Sequence, residues 1–441
     1  MFTGPALKKL IVPLVIEQIL AVLVGMADVV MVSSAGEAAV SGVSLVDMIN
    51  VLLINIFSAL ATGGAVVSAQ FLGAGRQDKA CDAANQLMSI TILISAGIMG
   101  IVLLLQKPIL RLFFGSISDD VMSSALTYLQ ISALSYPFLA CYNSGAALFR
   151  SMNNSKVTMI VSAGMNVINI VGNAICIYGL DMKVAGVAIP SLISRAVAAI
   201  VIFWLLSSPT HVIHVRLRQT LRLNWEITKR ILYIGIPSAL ENSMFQLGRV
   251  LVVSIISGFG TVQIAANAVA NNLDSLGCIP GQALNLAIIT VVGQCVGAHD
   301  YEQATYYTKK LLKITYLVMG IVCAGVIATM PLLFKLYNLS EETMQLAAIL
   351  VVIHDGCAIL FWPASFTMPN ALRAANDVRF TMVNSIFSMW FFRILGSCIL
   401  GSMLGMGAIG VWIAMVLDWI YRSIVFFLRF RNGKWKNFAR I

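Results

Sequence analysis

Apolar residues in this chain run in long stretches rather than in the spaced stripe of a surface helix or the alternation of a strand. Twelve stretches are long enough to cross a bilayer, at about 10–33, 44–72, 87–106, 123–149, 157–180, 184–206, 231–256, 267–297, 311–330, 344–371, 380–402 and 407–429. A helix needs about 20 apolar residues to span the hydrocarbon core. Lipid offers no partner for backbone N–H and C=O groups, and the alternation of a barrel is absent, so each stretch is predicted to be a helix. The first stretch is longer than a signal-peptide core and is expected to remain as the first span.

The polar positions between the stretches set an orientation. With the N-terminus on the cytoplasmic face, 21 of the 29 Lys and Arg residues, from Lys8 to Arg440, fall on that face. Only Lys107, Arg111, Lys183 and Lys335 fall on the other, while Arg195, Arg249, Arg393 and Arg422 lie inside stretches. Such a bias orients a multi-pass protein in the cell (inner) membrane with both termini cytoplasmic.

Composition agrees with this reading. The 441 residues are 59% hydrophobic and only 11% charged, against about 25% charged in a soluble domain. So few charges cannot clothe a water-facing surface, and the lipid bilayer is the expected partner. The net charge of +10 is accounted for by orientation, not nucleic acid, since no basic patch alternates with exposed aromatics. The eight cysteines are scattered, without a C-x-x-C pair, and the four histidines form no H-E-x-x-H motif. Neither a metal site nor a cofactor is expected.

The chain repeats itself. Pro13-x-x-x-Glu17 returns as Pro237-x-x-x-Glu241, and Gln70-x-x-Gly73-Ala74 returns at the same spacing as Gln294-x-x-Gly297-Ala298. Arg150-x-x-Asn153 returns as Arg373-x-x-Asn376, and Thr158-Met159-x-x-Ser162 as Thr381-Met382-x-x-Ser385, at a spacing shorter by one. Six spans per half is an even number, so the halves insert with the same polarity and are related by an axis along the membrane normal. The expected organisation is a six-helix lobe over 1–206, a basic cytoplasmic connector over 207–230, a second lobe over 231–429 and a basic tail over 430–441. Two such lobes flank a cleft that rocking can open to either side.

In these motifs the chain resembles the multidrug and toxic compound extrusion (MATE) transporters over nearly its whole length. The resemblance rests on Pro13, Asp28 and Gly36 in and after the first stretch, and on Gln70-Phe71-Leu72-Gly73-Ala74-Gly75. It also rests on Gly260-Thr261 with Ala265-Ala266, and on Leu372-Arg373-Ala374-Ala375-Asn376-Asp377. It implies an all-α polytopic membrane protein of twelve transmembrane helices, its two pseudo-twofold-related bundles forming a V-shaped cleft. It also implies export driven by a proton or sodium gradient.

A charge inside the bilayer is costly unless paired or hydrated, so each one needs a reason. The embedded acids are Glu17, Asp28, Asp47, Glu241, Asp274, Asp355 and Asp418. Asp28 is the first candidate for coupling: proton uptake relieves the desolvation of its charged form and changes the hydrogen bonds around the first helix. The resemblance points to the same aspartate. The alternative is a permanent hydrogen-bonded strut. Asn166, Asn169 and Asn173 on the fifth stretch are its expected partners, the last two four residues apart on one face. Relatives often carry an aspartate where this chain has Asn173. The lost carboxylate favours H+ over Na+, since hard cations want charged oxygen ligands. Plain interhelical amide bonding is the competing role for these asparagines.

Glu17 lies eleven residues before Asp28 on the same helix face, about 16 Å away along the axis. Glu17 and its repeat-mate Glu241 are candidate substrate or second proton sites, as are Gln246, Asn242, His354 and Asp355. Arg249 is an alternative structural partner for Glu241. Arg393, Asp418 and Arg422 are expected to neutralise one another. Val252 stands where a repeat-mate of Asp28 would be, which assigns coupling to the first lobe alone.

The reading that collects these features is a secondary antiporter, a monomer rather than an enzyme, exporting organic-cation-like amphipathic molecules through an acid-leaning cavity. A lipid-linked saccharide flippase of related build is the alternative. No nucleophile–histidine pairing and no G-x-x-x-x-G-K-[ST] loop favours an intramembrane enzyme or a nucleotide-driven pump.

Overall fold

The computed structural model describes residues 2–337 and 339–439. Arg440, counted above among the cytoplasmic basic residues, lies outside the described residues. Among the described residues regular structure is entirely helical. The helices are α1 (Gly4–Ser33), α2 (Glu37–Gly73), α3 (Gln77–Phe114), α4 (Asp119–Leu134), α5 (Tyr136–Ser151), α6 (Ser155–Ala174) and α7 (Ala185–Leu206). After a short α8 (Leu217–Thr220) come α9 (Trp225–Ser257), α10 (Thr261–Gly297), α11 (Tyr301–Phe334), α12 (Glu341–Trp362), α13 (Met368–Ala374), α14 (Val378–Ser388) and α15 (Gly407–Arg431). Wide-turn π segments extend α6 through Gly179, join α12 to α13, and follow α14 to Met403.

Eleven of the twelve predicted stretches appear as single helices long and apolar enough to cross a membrane. Several run well past the apolar limits read from the sequence. The 37 residues of α2 are about 55 Å long at 1.5 Å per residue, against a hydrocarbon core of about 30 Å, so the polar ends project beyond the core. The fourth stretch is the exception and divides at Ser135 into α4 and α5. Pro137, at the second position of α5, has no N–H to give back to the preceding turn. The Ser135 hydroxyl donates 2.6 Å to the Ser132 carbonyl and accepts 2.7 Å from Arg195 Nη1 on α7. A charged side chain from the sixth stretch is thereby anchored at the break. A second interruption falls at Leu105 (φ −110°, ψ 20°), three residues before Pro108 inside α3.

The internal repeat has a backbone counterpart. Gly36 and Gly260, matched at the spacing of the Pro–Glu repeat, start α2 and α10 with φ of 102° and 105°, a region closed to most side chains. Asn153 and Asn376 follow α5 and α13 in the left-handed region, at 60° and 68°. Asparagine is the residue that tolerates this conformation after glycine. The matched residues are thus the turn-formers that end one helix and admit the next.

Two compact units are formed, Phe2–Ala239 and Leu240–Ile441, the latter described to Ala439. In the first, α1 packs on α6, and α2 packs on α3, α4 and α5. Its core gathers Phe57, Leu110, Leu129, Tyr136 and Val187. In the second, α10 packs against α11, α12 and α13, and α15 against α12. Its core gathers Ile256, Leu273, Phe334, Leu350 and Trp412.

The connector over 207–230 is largely exposed from Arg216 to Glu226 and is pinned to α3 by side-chain hydrogen bonds. Asn85 accepts from the Arg216 N–H at 2.9 Å and donates to Gln219 Oε1 at 3.2 Å. Gln86 donates 2.6 Å to the Arg222 carbonyl and accepts 2.9 Å from the Asn224 N–H. Ile213 and Val215 are fully buried beneath it. The first turns of α9 then meet α2 closely: a Cβ on Gly63 would stand 2.6 Å from the Ile231 carbonyl oxygen.

Candidate functional site

In the unit Phe2–Ala239 the polar residues form one chain of hydrogen bonds across α1, α6 and α7. Asn173 Nδ2 donates 2.9 Å to Asp28 Oδ1 and 3.2 Å to Asn169 Oδ1. Asn169 Nδ2 donates 2.8 Å to Ser191 Oγ, which donates 3.0 Å to the Val187 carbonyl. Asn169 and Asn173 are buried while Asp28 is half-buried, so the carboxyl sits at the edge of a dry network. Asn173 Oδ1 is buried with no hydrogen-bond donor. It is an acceptor waiting beside the carboxyl. Asn166, one turn before Asn169, stays outside the chain, with its Nδ2 buried and unbonded.

The surroundings of Asp28 include two groups not assigned to the site from sequence. The charges of Asp47 on α2 and Arg195 on α7 both act on it. Asp47 is itself held: Tyr128 Oη donates 3.0 Å and Asn50 Nδ2 3.3 Å to its Oδ1, and Tyr136 Oη donates 2.8 Å to Asn50 Oδ1. Arg195 is fixed on Ser135 at the α4–α5 break. A break in a helix and an in-span arginine were both visible in the sequence, but nothing local says that they meet.

Glu17 lies below Asp28 on the same face of α1 and also turns to α6, where Thr158 Oγ1 donates 3.0 Å to Glu17 Oε2. The stripe read from their spacing therefore faces the α1–α6 contact. Its repeat-mate Glu241 has a different setting. Arg373 Nη2 stands 2.6 Å from Glu241 Oε2, and Arg422 Nη2 3.8 Å from Oε1. All three side chains are nearly or fully buried. Glu241 is thus closed off by two guanidiniums, and Arg249 is not its partner. Asn242 and Gln246, half-buried on α9, take no part in the pair.

Arg393 Nε lies 3.9 Å from Asp418 Oδ2, and Ser388 gives its hydroxyl to Asp418 Oδ1. Arg422, expected to neutralise Asp418 one turn away, does feel its charge, and it also reaches Glu241 and donates 3.3 Å from Nε to the Ser365 carbonyl. Its guanidinium also lies over the Phe366 ring, 4.5 Å from the centroid.

His354 and Asp355 gain a third member, Asp274 on α10. His354 Nδ1 is 2.8 Å from Asp355 Oδ1 and 3.5 Å from Asp274 Oδ1, and the three residues are buried. One imidazole nitrogen and two carboxylates fall short of the four nitrogen and sulfur ligands of a structural zinc site. Their donor atoms nevertheless lie within 4.8 Å of one another, close enough for a cation. The His354 ring meets Trp412 and Trp419 edge-on at 5.7 and 4.9 Å.

The MatE family model matches residues 13–175 and again 237–399. This chain belongs to the MatE family. The two matched segments begin at Pro13 and Pro237, the prolines that open the Pro–Glu repeat. Among curated relatives, the uncharacterised transporter YisQ of Bacillus subtilis is 29% identical over 96% of this chain and 93% of its own length. A probable multidrug resistance protein NorM of Thermotoga maritima is 26% identical over 98% of this chain and 93% of its own. Among solved structures, a MOP superfamily transporter of Pyrococcus furiosus superposes with a TM-score of 0.90 at 21% identity, covering 99% of this chain and 96% of that one. An outward-facing MATE family transporter superposes with a TM-score of 0.91 at 21% identity, covering 98% and 96%. The chain is therefore a multi-pass membrane transporter with the MATE fold, and the sites above are those of one MatE protein.

Proposed function

We propose that this MatE protein is a secondary antiporter of the cell membrane, with both termini cytoplasmic, that exports small amphipathic molecules in exchange for a proton taken up at Asp28. The observation that carries the reading is the Asn173–Asp28 hydrogen bond at the end of a buried polar chain. A carboxylate there accepts one amide N–H beside a donor-less amide oxygen on the same side chain. A proton on Asp28 turns one acceptor into a donor and offers that oxygen a partner. Uptake thus rewrites the α1–α6 contact without moving any other charge.

Export of varied small molecules is supported by the names of relatives, several of them probable multidrug resistance proteins. The proton is favoured over sodium because Asp28 is the one carboxylate in this chain of bonds. The neighbouring ligands are carboxamides and a hydroxyl, and Asp47 is already engaged by Tyr128 and Asn50. A small hard cation is held best by several charged oxygens. Efflux of a fluorescent dye from membrane vesicles under an imposed pH gradient tests the reading. Wild type is expected to export the dye and Asp28→Asn to fail while remaining folded. Equal export by both would contradict it.

A further inference from the structure

One small pocket of the second unit is lined by basic rather than acidic residues. Within Leu240–Ile441 a pocket of about 70 Å³ is lined by Arg249, Asn267, Asn271, Arg393 and Trp412, with Val252, Val253, Val411 and Met415 completing its wall. A water takes roughly 10–15 Å³ on this measure, so the pocket accepts a headgroup rather than a whole drug. Both formal charges on its wall are positive. We propose that it binds the carboxylate or sulfonate of an organic anion, with the apolar body of the molecule against Trp412 and the valines.

The ion pairs leave this role open. Asp418 approaches Arg393 only to 3.9 Å and also takes the Ser388 hydroxyl. Among the described residues no carboxylate pairs with Arg249. Asp274 and Asp355 are engaged with His354, whose ring meets Trp412. Asn267 Oδ1 accepts from Trp412 Nε1 at 2.9 Å, which turns the carboxamide so that its N–H donors remain for a ligand. Two guanidiniums and an amide suit a carboxylate, which takes parallel N–H donors from arginine. Arg249 is exposed where it lines the pocket, so an anion can reach it without first displacing an ion pair.

The repeat sharpens the contrast. At the spacing of the Pro–Glu match, Arg249 stands where the first half has Gly25, Val252 where it has Asp28, and Asn271 where it has Asp47. The duplicated frame thus carries two acids in one unit and none at the same places in the other, where an arginine has been added. The proposal rests on the export reading and names its substrate class. A monovalent anion exported for a proton moves the equivalent of two positive charges inward per cycle, whereas a monovalent cation exported for a proton moves none.

Binding of tritiated p-aminohippurate to the purified full-length protein in lipid nanodiscs tests it, with thermal unfolding as the fold control. Wild type is expected to bind saturably, with Arg249→Gln weakening binding about tenfold or more and Arg249→Lys less so. Should Arg249→Gln not fold, Val252→Asp, which puts an acid in the pocket, is expected to weaken binding likewise. Absence of saturable binding to wild type overturns the proposal, as does undiminished binding by whichever of Arg249→Gln and Val252→Asp folds. Proton-driven efflux of the anionic dye fluorescein in the same membranes reports on the export reading separately. Protein that exports fluorescein but does not bind p-aminohippurate overturns the pocket alone.

Discussion

Asn173 on α6 donates a 2.9 Å hydrogen bond to Asp28 on α1, joining residues 145 positions apart in the chain. The same amide group bonds Asn169, one turn earlier on its own helix. It is the hinge of the polar network: one nitrogen serves both neighbours and the oxygen serves none. On the proposed reading, a proton on Asp28 supplies the donor that this oxygen lacks.

Asn173→Asp places a second carboxylate against Asp28. Two adjacent carboxylates repel unless a cation or proton sits between them, and charged oxygens are what a hard cation seeks. Dye efflux by this variant is expected to become stimulated by an imposed sodium gradient, where wild type is not. Efflux assays with sodium and pH gradients imposed separately read the difference.

Breaking the Glu241–Arg373 pair is expected to be expensive. Removing one member of a buried pair leaves the other charge uncompensated, at about 3–5 kcal/mol. Arg422 at 3.8 Å softens the loss for Arg373→Met, so the lower end is expected. Thermal unfolding in detergent should show Arg373→Met destabilised, with Glu241→Gln/Arg373→Met recovering part of the loss because no lone acid remains.

Gly63→Ala is expected to destabilise the first unit by about 1–3 kcal/mol. Its new methyl would meet the Ile231 carbonyl oxygen at 2.6 Å and the Gly235 nitrogen at 2.9 Å, and backbone cannot swing aside as a side chain does. Gly97→Ala on α3 meets nothing within 4 Å and is expected to leave the melting temperature unchanged or slightly higher, since alanine favours helix. The two melting curves side by side check the close α2–α9 approach.

Replacing Asn85 with Ala removes a carboxamide that holds both Arg216 and Gln219 of the connector. Limited proteolysis after the connector's arginines is expected to speed several-fold, since each buried bond lost contributes about 1 kcal/mol to holding the segment down. Unchanged cleavage would show the segment held by Ile213 and Val215 alone.

What the sequence discloses here is whatever is local or repeated. Span positions follow from runs of apolar residues, the duplication from ordered matches, and the shared face of Asn169 and Asn173 from helical spacing. The matched glycines and asparagines are visible because a left-handed turn narrows the choice of residue. Long-range partners are not. Arg422 sits four residues from Asp418 yet reaches Glu241, because burial and the rotation of α15 decide where a long side chain goes. Asp274 joins His354 from another helix, and Arg249 and Arg393 meet one pocket from distant parts of the chain. The split at Ser135 is hidden in the sequence because the apolar run 123–149 continues across Pro137, whereas the chain ends one helix and starts another there.

The central claim is that Asp28 carries the proton that drives export. Liposomes reconstituted with the protein and loaded with a pH-sensitive dye test it most directly, because an imposed outward substrate gradient should pull protons inward with no pH gradient applied. The account predicts substrate-dependent acidification with wild type and none with Asp28→Asn at equal protein incorporation. Acidification by Asp28→Asn at the wild-type rate would contradict it.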